Sequence, residues 1–249
     1  MTLLRADDLS VAFGAHQALS EVSLSVAAGE MVAQIGPNGA GKSTLFNLLG
    51  GQLAAQSGRI TLRGVTLAKA DPAAFCRSGI GRIFQITRCF ASMTVLACVQ
   101  TAMLAHHRQI WRFLRPAERA FRPEALDVLA RCGLGDQAGR DAASLAHPDQ
   151  KRLELAVALA SNPAVLLLDE PASGLAAPER LAMMRLVAEL ARQGIAVLFS
   201  EHDMQSVFGF ADRIIVLHQG RVIATGTPSD IRTNPQVQDV YLGGNQPNE

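Results

Sequence analysis

Nine residues, Gly36-Pro-Asn-Gly-Ala-Gly-Lys42-Ser43-Thr44, combine glycines, a cation and hydroxyls in the spacing Gly-x4-Gly-Lys-Ser. Glycines let successive backbone N–H groups turn inward around phosphate oxygens, and a helix N-terminus adds partial positive charge at the same place. The expected phosphate-binding set is Gly36, Asn38, Gly39, Ala40, Gly41, Lys42, Ser43 and Thr44. Within it, Lys42 would reach the outer phosphates and Ser43 would ligate Mg2+. The plainer alternative is a Gly-rich turn ahead of a helix. It does not account for the complete spacing, the apolar strand Met31–Ile35 before it and the apolar helix pattern Leu45-Phe-Asn-Leu-Leu49 after it.

Val165-Leu-Leu-Leu-Asp169-Glu170 is the second segment suited to chemistry. An acid emerging from four apolar residues sits at the C-terminal edge of a buried strand, where α/β sheets bind ligands. Asp169 is expected to hold Mg2+ through water, and Glu170 to orient or deprotonate an attacking water. A strand-end acid pair alone says little, but coupled to the phosphate loop it points to phosphoryl transfer.

These segments need a scaffold. From Leu3 to Ile35 the chain reads as short alternating β segments broken at Gly14 and at Ala28-Gly29-Glu30, and Arg59–Leu67 reads as a further hairpin. Val165–Leu168, Ile195–Phe199 and Arg213–Leu217 are continuous apolar strands around a helical stretch, Pro178–Arg192, as a parallel sheet with crossover helices requires. Between Ser92 and Leu159 the chain is rich in Ala and Leu and punctuated by Pro116, Pro123, Gly133, Gly135 and Pro148, which predicts several moderate helices. Thr227-Pro-Ser-Asp230 is a helix start, with a hydroxyl cap, Pro at the first helical position and an acid at the third. Together these predict an antiparallel β layer built onto a parallel α/β core.

Composition narrows the class. The 249 residues are 49% hydrophobic and 18% charged, too apolar for a disordered chain and long enough for a sizeable core. The net charge of +1 provides no global attraction to nucleic acid or anionic lipid. No apolar run approaches the roughly 18–20 residues that span a bilayer, and Asp7 and Asp8 stand where a signal peptide would be hydrophobic. Cys76, Cys89, Cys98 and Cys132 form no paired metal spacing, which suits a reducing compartment. The expectation is a soluble cytosolic protein.

Over essentially its whole length the chain resembles the ATP-binding subunits of ABC transporters, above all those serving importers of branched-chain amino acids and related small amides. Ile35–Thr44, Gly81-Arg-Ile-Phe-Gln85, Leu166-Leu-Leu-Asp-Glu-Pro-Ala-Ser-Gly-Leu175, Ser200-Glu-His-Asp-Met204 and the C-terminal run from Asp212 to Gly243 carry the resemblance. It implies a P-loop NTPase (RecA-like) core with an antiparallel β subdomain over 1–88 and 159–242. An inserted α-helical subdomain would occupy 89–158, with a loose tail at 243–249. It implies ATP and Mg2+, transmembrane permease subunits, a second ATP-binding subunit in a homo- or heterodimer, indirectly a solute-binding protein, and a peripheral place on the cytoplasmic face of the membrane. Nucleic acid is not an implied partner. By the family pattern Phe13 stacks on adenine, although a core role in its strand is the alternative. Gln85 senses Mg2+ and the γ-phosphate, the bland alternative being a surface amide. His202 contacts the γ-phosphate, with Glu201 and Asp203 flanking it, and Ser173-Gly-Leu175 touches the opposite subunit.

One segment departs from the pattern. Relatives open a helix with Leu-Ser-Gly-Gly-Gln or Leu-Ser-His-Gly, whereas here the stretch is Leu145-Ala-His-Pro-Asp-Gln150. Ala146 has no hydroxyl and Pro148 has no N–H, so two donors to a partner's γ-phosphate are missing. In a head-to-tail dimer the defect falls on the partner's nucleotide while this chain's own loop, Asp169, Glu170, Gln85 and His202 stay complete. Separately, Arg108, Arg112, Arg115 and Arg119 recur at near-helical spacing, with Arg122 close behind. They form either a solvated helix face or a surface for head groups or a permease. Two other functions remain at this stage: a regulatory module that binds nucleotide with little turnover, and a soluble ABC ATPase acting on DNA or ribosomes.

Overall fold

The computed structural model describes residues 1–67, 70–83, 92–107 and 120–242. Gln85, Cys89, Arg108, Arg112, Arg115, Arg119 and the stretch 243–249 lie outside the described residues.

Strands β1 (Thr2–Phe13) and β2 (His16–Ala27) form a long antiparallel hairpin whose tip pairs Phe13 with His16. Leu4, Ala6, Leu9 and Val11 of β1 are buried opposite Val26, Leu24, Val22 and Leu19 of β2, the alternation stepping by one residue where the register shifts between Ala6 and Leu9. Strand β3 (Met31–Ile35) leaves this layer and leads through the Gly-rich loop into helix α1 (Lys42–Leu49). The hairpin β4 (Ser57–Leu62) and β5 (Val65–Thr66) then completes a four-stranded antiparallel sheet in the order β2-β1-β4-β5.

Helix α2 (Pro72–Ser78) starts at an Asp71 cap, whose carboxylate accepts the Ala73 N–H at 2.9 Å. It precedes strand β6 (Ile80–Arg82). Helices α3 (Val95–His106), α4 (Arg122–Arg131) and α5 (His147–Leu159) separate β6 from β7 (Val165–Asp169). Then follow α6 (Ala177–Arg192), β8 (Ala196–Ser200), α7 (Met204–Phe210), β9 (Arg213–His218) and β10 (Arg221–Gly226), and the described chain closes with α8 (Pro228–Thr233) and α9 (Pro235–Leu242). The second sheet has the order β10-β9-β3-β8-β7-β6 and is parallel except at the β9–β10 hairpin.

Both faces of this sheet are covered, which explains its continuous apolar strands. Met31, Ala33 and Ile35 of β3 join one apolar cluster with Val95, Leu129, Leu155, Val187 and Val207 of the helices. Val32 joins the other, with Leu45, Phe46, Leu48 and Leu49 of α1 and the buried faces of β1 and β2. Burying side chains of this size stabilises by roughly 1.5–3 kcal/mol each. The helices α3–α5 therefore share a core with the sheet rather than forming one of their own.

Two features depart from the periodicity. Strand β6 was not legible as a strand, because three residues ending in Arg82 carry no alternation worth reading. Gln34 lies fully buried in β3, and among the described residues neither polar atom of its amide has a hydrogen-bond partner. The Thr227 helix start is as predicted: the Thr227 hydroxyl accepts the Asp230 N–H at 3.3 Å, and the Asp230 carboxylate accepts the Thr227 N–H at 2.9 Å.

Candidate functional site

The strand order decides the site. Strand β8 lies between β3 and β7, with Gln34 opposite Ser200 and Ser200 opposite Asp169. The C-terminal ends of three parallel strands thereby place the Gly-rich loop, Glu201-His202 and Asp169-Glu170 side by side, at the edge where such sheets bind ligands.

The loop is shaped by close approach. A Cβ on Gly36 would lie 2.3 Å from the Leu217 carbonyl oxygen. Gly41 has φ +105°, and a Cβ there would lie 2.7 Å from Leu19 Cδ2. The Lys42 ammonium donates to the carbonyls of Gly36 at 2.6 Å and Pro37 at 3.1 Å. Burial lowers its pKa, and the charges of Glu170 and Asp169 oppose that shift. The ammonium is thus held inside the loop, within electrostatic reach of both strand-end carboxylates.

A cleft of about 290 Å3 opens over the loop, lined by Asn38 to Thr44 with Phe13, His16, Ala18, Glu170 and His202. Phe13 is 53% exposed, so its ring is free to cover a planar ligand, and the core alternative raised by its strand position is excluded. His16 and Ala18 were missed in the sequence. The hairpin signal at Gly14-Ala15 could have found His16, since it predicts the pairing that sets His16 beside Phe13.

Asp169 Oδ1 accepts the Ser200 hydroxyl at 2.7 Å, and the Glu170 N–H donates to Ser200 O at 3.1 Å and Ser200 Oγ at 3.2 Å. Glu170 occupies a left-handed conformation, φ 53°, that non-glycine residues seldom adopt. Its Oε1 lies 2.7 Å from His202 Nε2, a hydrogen bond when that nitrogen carries the proton. Asp203 caps α7 through the Ser206 N–H at 2.9 Å and pairs with Arg180 at 3.2 Å. The Ser206 hydroxyl, more than Arg180, holds its carboxyl below the usual range.

Among the described residues no three His, Cys, Asp or Glu cluster to hold a metal. The Ser43 hydroxyl and the Asp169 carboxylate are hard oxygen donors that fit Mg2+ arriving on phosphates with its waters. The substituted segment lies elsewhere: Ala146 and Pro148 do not line the cleft. Ala146 takes the helix-cap conformation of α5 without a side-chain hydrogen bond, and Pro148 is accommodated in the first turn. His147 instead lines a neighbouring cavity of about 470 Å3 with Lys151, Glu154, Asp169, Glu170 and Ser173. Ser173 and Gly174 lie on that side too. Among the described residues no helix is long and apolar enough to cross a membrane.

The chain is similar to known proteins over nearly its whole length. Residues 19–173 match the family model described as ABC transporter, and residues 221–246 match that described as branched-chain amino acid ATP-binding cassette transporter. The high-affinity branched-chain amino acid transport ATP-binding protein LivG of Salmonella typhimurium is 42% identical, over 97% of this chain and 98% of the relative. BraF of Pseudomonas aeruginosa, which bears the same description, is 37% identical over the same shares. A crystal structure of the ADP conformation of an ATP-binding cassette of an ABC transporter superposes with a TM-score of 0.88 at 30% identity, covering 98% of this chain and 99% of that one. With a phosphate loop and strand-end carboxylates at one sheet edge, an exposed aromatic lining the cleft over the loop, and relatives matching over 97% of the chain, this chain belongs to the ATP-binding cassette family of ABC transporters.

Proposed function

We propose that this chain binds and hydrolyses ATP to power an importer of branched-chain amino acids or related small polar solutes. The observation that carries the reading is the convergence of Lys42, Ser43, Asp169, Glu170 and His202 at the C-terminal ends of β3, β7 and β8. The relatives' transport of branched-chain amino acids and the matching C-terminal segment support the choice of solute. Permease subunits, a second cassette and, indirectly, a solute-binding protein are the partners. The work is done at the cytoplasmic face of the membrane.

Each described residue has a role its position suits. Phe13 covers the adenine, and the N–H groups from Gly39 to Thr44 with the Lys42 ammonium hold the phosphates. Ser43 and Asp169 would hold a Mg2+ ion brought with the nucleotide, with Gln85 assigned to the same ion, and the ion would supply neutralisation of phosphate charge. Glu170 orients the water and takes its proton as the new oxygen–phosphorus bond forms and the β–γ bridge breaks, leaving ADP and phosphate. His202, whose Nε2 lies 2.7 Å from Glu170 Oε1, would donate to the γ-phosphate once it enters. A nucleotide-binding module with little turnover is the second reading, favoured by the uncapped Ala146 and by Pro148. Asp149 in the same first turn adds negative charge where a partner's phosphate would approach, partly offset by Gln137 at 2.8 Å and Arg152 at 3.3 Å. We assign that defect to the partner's site, so a partner with a complete helix start gives one working site.

Release of labelled phosphate from γ-labelled MgATP tests the reading. Lys42→Ala is expected to abolish nucleotide binding, and Glu170→Gln to keep binding while lowering turnover by roughly 10²–10⁴-fold. Leucine uptake by vesicles holding the chain with its permease tests the solute. Undiminished hydrolysis by Glu170→Gln refutes the assignment of the base.

A further inference from the structure

Glu201 has no role in the scheme above, yet it is only 7% exposed and directly precedes His202, which the scheme uses. Burial, the largest influence, raises its pKa, so the fold holds this carboxyl where water would favour its charge more. Among the described residues no cation forms an ion pair with it, and the nearby Arg180 is paired with Asp203. A buried carboxyl so placed requires a specific hydrogen-bond partner.

Its partner is a backbone turn. Glu201 Oε1 accepts the Ala172 N–H at 2.8 Å, and Ala172 is itself buried. The turn is the one that follows Glu170: the Ser173 N–H donates to Glu170 O at 3.1 Å and the Leu175 N–H to Ala172 O at 3.3 Å. Three successive residues at the end of β8 thus bond to the end of β7. Ser200 holds Asp169 and the Glu170 N–H, Glu201 holds Ala172, and His202 meets the Glu170 carboxylate. The left-handed backbone of Glu170 persists only where its surroundings over-determine it. Without an acceptor at 201, the Ala172 N–H would be a buried orphan, and the turn would relax to find water.

We propose that Glu201 is a positioning residue for hydrolysis, clamping the Ala172 turn to the strand end that carries His202 so that Glu170 and His202 keep their mutual geometry. This rests on the roles proposed for those two residues. A misplacement of about 1 Å at a reacting group costs on the order of 100-fold in rate, which sets the scale.

The test uses the full chain and MgATP, reading kcat, KM, binding of a non-hydrolysable ATP analogue, and Tm. Glu201→Leu is expected to lower kcat by about 10–100-fold with KM and analogue binding within about twofold, because the phosphate loop is untouched. Glu201→Gln keeps an acceptor oxygen for the Ala172 N–H and is expected to stay within about threefold of the unaltered chain. In a His202→Ala background, Glu201→Leu is expected to add less than about threefold, since the geometry it protects has already lost its function. A merely structural role would lower Tm and analogue stoichiometry together and would multiply with His202→Ala. Glu201→Met, unbranched and of similar volume, replaces the Leu variant if that one does not fold. Turnover by Glu201→Leu within twofold of the unaltered chain overturns this inference alone, as does a Gln variant as damaged as the Leu variant. A chain that binds MgATP without hydrolysing it even with Ala146→Ser and Pro148→Gly in place overturns the reading of the site, and this inference with it.

Discussion

Restoring Ser at position 146 and Gly at position 148 is the most informative perturbation, because the structure separates its effects on stability from its effects on turnover. Ala146 already has the backbone of a helix cap, φ −62° and ψ 153°, so Ala146→Ser adds a cap to an existing site. That is worth about 1 kcal/mol, or a Tm rise of roughly 2–4 °C in a chain of this size. Pro148→Gly frees the unfolded chain and offsets about 0.4–1 kcal/mol of it. The double variant should therefore melt within a few degrees of the unaltered chain. Its effect on the closed dimer is far larger. A Ser hydroxyl and a Gly N–H directed at a phosphate are charge-assisted donors worth about 1.5–3 kcal/mol each, or two to four orders of magnitude together at full expression. Asp149 stays in the first turn and reduces that gain. The expected result is at least a tenfold rise in MgATP turnover by the isolated chain with nucleotide affinity unchanged, and dimer visible by light scattering in a Glu170→Gln background. Turnover within twofold of the unaltered chain would refute the reasoning: the segment would then be competent as it stands, and the chain would pair productively with itself.

Gln34→Leu is expected to raise Tm, since it removes a fully buried amide that has no partner among the described residues and fills the space with apolar atoms; about 1–3 kcal/mol is at stake, read by thermal or urea unfolding. Burial pushes the thiol pKa of Cys98 to about 11 and that of Cys132 to about 12. Iodoacetamide at pH ~8.5 should therefore label Cys76 in the native chain and reach Cys98 and Cys132 only on unfolding, as peptide mapping would check. Asp203 has a depressed folded pKa, so its contribution is present above the unfolded value and is lost as pH falls through the folded one. Asp203→Asn should flatten the fall of Tm with pH below about 4, and an unchanged slope would exclude the Ser206 and Arg180 contacts as its cause.

Much of the site was legible because its parts are local. The Gly36–Thr44 spacing, the apolar run ending in Asp169-Glu170 and the Thr227–Asp230 helix start each lie within ten residues, and backbone geometry over such a span follows from residue type. Strand β3 was expected to be buried, and it is, but the buried amide of Gln34 contradicts its own pattern, and periodicity cannot say whether such a residue finds a partner. Position 13 was ambiguous in the sequence because an aromatic at a strand end suits either a core or a ligand, and only its 53% exposure removed the core.

The sequence by itself determined the chemistry: a phosphate loop, a strand-end acid pair, a histidine after a buried strand, and a helix start without its hydroxyl. Only the tertiary structure decided how these meet. Chain order runs β3, β7, β8, whereas the sheet runs β3, β8, β7, and that reversal alone puts His202 on Glu170 and Glu201 under Ala172. The physical reason is that parallel strands pair across long crossovers through backbone bonds that any residue can make. Which two strands become neighbours is therefore set by how helices cover both faces of the sheet, a property of the packed whole that no local spacing records.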